Sequence, residues 1–141
     1  MADANTTDSR ADRLAQAEAA INALKGEYSQ QLRTDVDQLA KIFALVTPKD
    51  PDARVLEDLF GIAHNLKGQA GSFGYDLVTS IAASLCDLLR QQAEHFSSHD
   101  VKIVGQHVQV LERVVSKGIV GDGGETGQKI VQSLRDLHSK S

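Results

Sequence analysis

The sequence predicts an all-α protein: an antiparallel up-down-up-down four-helix bundle with an N-terminal helical extension and a short C-terminal helix. Three observations carry this. Apolar residues recur at three- and four-residue steps along most of the chain, the helical period. No stretch alternates with the period of a strand. The links between the long periodic segments are short, which forces successive helices to lie antiparallel.

Residues 1–10, MADANTTDSR, are polar and read as a disordered tail. Apolar positions then recur at Leu14, Ala17, Ile21, Leu24, Tyr28, Leu32, Val36, Leu39, Phe43 and Val46. Gly26 leaves two readings open: a separate helix before Tyr28, or an extension of a first bundle helix over about 28–46. TPKDP ends that helix, because Pro48 and Pro51 cannot continue it, and Asp50 before Pro51 reads as the cap of the next. The second helix, 51–73, has its stripe at Leu56, Leu59, Ala63, Leu66, Ala70 and Phe73. Leu77, Ile81, Leu85 and Leu88 mark a third over 76–96. Ser97 and Asp100 have the spacing of a capping box that opens a fourth, 98–117, with Val101, Val104, Val108, Leu111 and Val115 on its stripe and Gly118 closing it. GIVGDGGETG reads as a flexible loop. Ile130, Val131, Leu134 and Leu137 form a last amphipathic segment that either docks on the bundle or trails from it. The expected division is therefore a tail at 1–10, a bundle with its extension at 11–118, and a loop with a short helix at 119–141.

At 141 residues, one domain is expected, large enough to bury a core without staples. The lone Cys86 excludes a disulfide framework and cysteine-rich zinc modules. The net charge of -4, the absence of Trp and only six aromatics argue against a nucleic-acid surface. No apolar run approaches the length of a membrane span and the start lacks an export leader, so a cytoplasmic protein with protein partners is expected.

The second helix violates its own propensity. Gly61, Gly68 and Gly71 lie within AHNLKGQAGSFG or just before it, and a glycine inside a helix costs up to about 1 kcal/mol relative to alanine. With Leu56 at zero and 100° per residue, the apolar stripe centres near about 310°, while Gly61, His64, Gly68 and Gly71 fall at about 140°, 80°, 120° and 60°. The glycines surround one histidine and strip the wall from around it. Lys67, one turn on, brings a cation to the rim of the clearing. A bulky anionic group that must approach the ring closely, such as a phosphoryl group presented by another protein, explains both features. The competing explanation is that the glycines admit a neighbouring helix. Packing glycines belong on the apolar stripe, however, and these lie beside it.

Ala63-His64-Asn65-Leu66-Lys67-Gly68, with Gly74 ten residues after the histidine, resembles the signature of the histidine-containing phosphotransfer (HPt) domain over roughly residues 29–117. That resemblance implies a four-helix bundle with His64 as the phospho-accepting residue, Lys67 as the cation near the phosphoryl oxygens, Gly68 as the small residue that admits the partner, and Gly74 as the turn ending the helix. The expected partner-binding residues are Gly61, Gly68, Gly71, Phe60 and Arg90. The implied activity is that of a phosphocarrier passing a phosphoryl group reversibly between receiver-domain aspartates of a two-component phosphorelay. Its partners would be response-regulator receiver domains, a hybrid histidine kinase, or both. No cofactor or metal of its own is expected, and Mg²⁺ belongs to the receiver. A neutral imidazole, with its ordinary pKa near about 6.5, is a competent nucleophile at pH 7. The chain has no phosphate-binding glycine loop for ATP, so autokinase activity is not expected. The alternative is a helical adaptor that binds a signalling protein without phosphotransfer.

Many members of the family orient the histidine with a side-chain amide or hydroxyl from the third helix. Here the flank expected to face His64 carries Ala82, Cys86 and Leu89, with Ser84 and Gln91 on the opposite flank. His95, His99, His107 and His138 lack zinc-ligand spacing and read as solvated surface positions. Cys86 has no activating neighbour and reads as inert. The Leu14–Tyr28 stripe is under three heptads, which leaves monomer and dimer both open.

Overall fold

A computed structural model of the chain describes residues 2–91 and 93–139, without the side chains of residues 2–8, 93 and 139. Its helices are α1 (Ala2–Phe43), α2 (Ala53–Ala70), α3 (Asp76–Leu89), α4 (Ser98–Ser116) and α5 (Gly124–Ser139), with 3-10 turns at Gly71–Phe73 and Ala93–His95. The class is the expected one: all-α, with no strand among the described residues. No helix among them is long and apolar enough to cross a membrane.

The chain divides into two compact units, residues 1–31 and residues 32–141. The first is the N-terminal stretch of α1. It is helical from Ala2, where a disordered tail was expected. Once a helix is nucleated, each further residue adds a hydrogen bond at little cost, so polar residues join it without an apolar face of their own. The helix also runs unbroken through Gly26, where a side chain would meet nothing. Leu14, Ile21 and Leu24 are exposed in this unit.

The second unit holds the bundle. Its boundaries differ from the expected 11–118, because the glycine loop and α5 belong to it. Leu32 and Leu39 of α1, Leu59 and Leu66 of α2, Ile81 and Leu85 of α3, and Ile103 and Leu111 of α4 are all essentially inaccessible. Phe43 presses so closely on α4 that a Cβ at Gly105 would stand 2.9 Å from its ring. Asp52, not Asp50, caps α2: its carboxylate accepts from the Arg54 amide at 2.8 Å. Pro51 is buried just before the cap. The Ser97–Asp100 capping box forms as expected. α3 stops at Leu89, well short of residue 96, where the Arg90 amide turns back to the Cys86 and Leu88 carbonyls and lets Phe96 enter the core.

α5 starts at Gly124, inside the expected loop, with the Asp122 carboxylate accepting from the Gly124 amide at 2.9 Å. The segment docks. Gly121 donates its amide to the Gly74 carbonyl (2.6 Å) and accepts from the Leu77 amide (2.8 Å), which ties this loop to the α2–α3 turn. Leu134 is buried, and Arg135 pairs with Asp87 of α3 at 3.1 Å.

His107 and His138, expected at the surface, instead form a polar seam between α3, α4 and α5. His107 is fully buried, with Nδ1 2.8 Å from the Ile103 carbonyl and Nε2 2.8 Å from the Ser84 hydroxyl, which also lies 3.1 Å from His138 Nε2. A carbonyl only accepts, so Nδ1 carries the proton; Nε2 then accepts from Ser84, whose oxygen accepts from His138. Burial pushes the His107 pKa down to about 4, with the Ile103 carbonyl opposing and the charges of His138 and Arg135 adding. His138 is lowered as well, first by burial.

The native state therefore favours neutral His107. Its contribution to stability is fully present above pH 6.5 and is lost as pH falls from 6.5 toward 4, about 3 kcal/mol in all. Urea midpoints should fall across that window in the wild type and less steeply in H107Q; equal slopes would contradict the assignment.

Candidate functional site

Burial of one face of α2 decides what the other presents. Leu56, Leu59, Ala63, Leu66 and Ala70 are buried, and His64, between two of them in sequence, is exposed. α2 and α3 run antiparallel against each other. Gly71 meets Thr79, the Lys67 charge reaches Cys86, and Phe60 shares a hollow with Leu89 and Arg90, so residue numbers fall along α3 as they rise along α2.

A Cβ added at Gly61 or Gly68 would meet nothing within 4 Å. Neither glycine admits a neighbouring helix, and both leave open backbone on the flanks of His64. Gly71 departs from that pattern. It lies in the 3-10 turn beyond α2, and a Cβ there would come 3.2 Å from Thr79 Oγ1, so close packing on α3 explains it. Gly74 adopts φ 88°, a left-handed conformation that suits glycine and turns the chain into α3.

Lys67 is half-buried one turn after His64, and no carboxylate pairs with it among the described residues. Arg90 stands beside Phe60, but its guanidinium is held by Asp87 at 2.8 Å. Asp87 uses its other oxygen for Arg135 of α5. Cys86 is buried beneath these cations; burial pushes its thiol up, while Lys67 and Arg90 pull the other way.

The expected flank of α3 does face α2, with Ala82 and Cys86 fully buried. Ser84 is turned away to His107 and His138. Gln91, expected on Ser84's side, instead lines the hollow beside Phe60. The His64 ring has a different neighbour. The Phe60 ring stacks on it with centroids 5.8 Å apart and planes 18° from parallel. On the α1 side, Gln38 and Ile42 border an open groove of about 630 Å³ with Asp58, Phe60 and His64. His95 and His99 are exposed, as expected. No group of three or more His, Cys, Asp or Glu side chains is placed to hold a metal among the described residues.

The buried seam was missed although its signal was present: His107 lies three residues after Val104 and four before Leu111, on the α4 stripe itself. Ser84 likewise falls between Ile81 and Leu88.

The Hpt domain family model matches residues 7–117, which takes in α2, α3, α4 and most of α1 and leaves α5 outside. No curated protein matches the chain.

Because Gly61 and Gly68 face open space, G61A and G68A should each stabilise the isolated protein by about 0.5–1 kcal/mol through helix propensity. Urea denaturation checks this, and destabilisation by either would mean that the chain itself needs the missing side chain.

Proposed function

This chain belongs to the Hpt domain family, and we propose that it carries a phosphoryl group on His64 between receiver-domain aspartates of a two-component phosphorelay in the cytoplasm. One observation supports this reading above the others: an exposed imidazole flanked by two helical glycines with nothing beside them, with Lys67, which has no ion pair among the described residues, one turn away.

A neutral imidazole holds its proton on one ring nitrogen and a lone pair on the other. In transfer to His64, that lone pair attacks the phosphorus of the receiver's aspartyl phosphate. The N–P bond forms as the P–O bond breaks, the aspartate leaves as a carboxylate with the bonding electrons, and the ring proton stays in place. The return step reverses each of these changes, with a receiver carboxylate as the nucleophile. Phosphoryl transfer depends mainly on positioning and on offsetting charge at the transferred oxygens. The Lys67 ammonium, carried one turn after His64, does the latter. The donor aspartate and Mg²⁺ belong to the receiver, and Gly61 and Gly68 let that domain approach the ring. The protein is thus a carrier without autokinase activity.

Incubation with a phosphorylated receiver domain should move label onto the chain as an acid-labile, alkali-stable adduct. H64Q should take none while keeping its helical signal. K67A should slow transfer roughly ten- to a hundredfold, the scale of removing one charge-stabilising donor that is only half-buried. Label retained in H64Q would overturn the site, and receiver binding by the wild type without any label would identify an adaptor instead.

A further inference from the structure

The geometry points to Phe60 as the residue that positions the His64 ring for transfer. This role rests on the reading that His64 carries the phosphoryl group.

An exposed histidine has two free side-chain torsions and samples several rotamers unless something holds it. No hydrogen bond to either ring nitrogen is present among the described residues. The α3 flank opposite offers Ala82 and Cys86, neither of them an amide or a hydroxyl. Phe60, one turn earlier on the same helix, stacks on the ring. Helical side chains lean toward the preceding turn, so a residue at i rests over the one at i-4. The separation of 5.8 Å and the 18° between planes fall within the range of attractive offset aromatic stacking. Phe60 is itself half-buried, beside the buried Leu56 and Leu89 that line the same hollow. An offset stack acts on the face of the imidazole and makes no use of its nitrogens, which lie on the edge of an exposed side chain. The ring is thereby confined to one plane without the loss of either nitrogen to a hydrogen bond.

Phe60 also borders the face on which a receiver would dock, so the test separates positioning from docking. Wild type, F60A, F60L and F60Y are compared in three measurements. The first is the single-turnover rate from a phosphorylated receiver at saturation, with the concentration for half-saturation. The second is the rate of labelling by phosphoramidate, a small donor that needs no docking. The third is the chemical shifts of the His64 ring protons, which sense the current of a stacked ring whether or not phosphotransfer occurs. F60A and F60L should lower both rates about fivefold, the cost of a mispositioned nucleophile, and should move the ring-proton shifts, while F60Y restores both. F60L keeps apolar bulk on α2, so its failure is not a failure to fold. Wild-type phosphoramidate rates in F60A and F60L, a change in half-saturation alone, or unmoved ring-proton shifts would each overturn the role. A wild type that takes no label from either donor would overturn the carrier reading and this role with it, whereas a labelled wild type beside indifferent variants overturns the role alone.

Discussion

Ala63 and Leu66 are removed from solvent on the face of α2 that lies against the bundle, and a helix turns about 100° per residue. Those two facts fix the direction of His64. With its neighbours at -1 and +2 held in the core, the imidazole projects outward, and any rotation of α2 that hid it would drag Leu59 and Leu66 into water. Fully burying a leucine side chain is worth about 1.5–3 kcal/mol, so the rotation of α2 is firmly set by apolar residues that take no part in chemistry. Exposure of the histidine is a consequence of core packing, and the glycines beside it then determine how near another molecule can come.

The charge around the ring is arranged with the same economy. Among the described residues no carboxylate pairs with Lys67, whereas Arg90 is engaged by Asp87, which in turn holds Arg135 of α5. Among the described residues Lys67 therefore carries no ion pair, whereas Arg90 is tethered through Asp87 to the segment outside the family match. That segment is held by more than this ion pair: the Gly121 amide and carbonyl join the α2–α3 turn, and the Ser84, His107 and His138 seam closes the far side of α3. α3 thus has two unlike faces, a plain one toward α2 and a polar one toward α4 and α5.

Much of this was legible in the sequence because it depends on local rules. The stripes of α2, α3 and α4 and the capping box at Ser97 each follow from residue spacing, while the turn at Gly74 came only with the family resemblance. The clearing around His64 was legible for the same reason, since helical angles alone put Gly61 and Gly68 beside it. What failed depended on tertiary partners. Gly71 looked like part of the clearing until Thr79 of α3 was seen against it. The capping box at Ser97 suggests an α3 that runs up to it, but the helix stops at Leu89 and Phe96 reaches the core from outside it. His107 was read by its residue type, which is usually exposed, and not by its place on a buried stripe. The stacking partner of His64 required side-chain geometry that no spacing supplies.

The most direct test of the account is a nitrogen-resolved spectrum of the imidazole rings after the protein has been phosphorylated. The account predicts that one ring nitrogen of His64 shifts and couples to phosphorus while the other four histidines keep their signals. Coupling at another histidine, or a phosphoryl group on oxygen with the His64 ring unchanged, would contradict it.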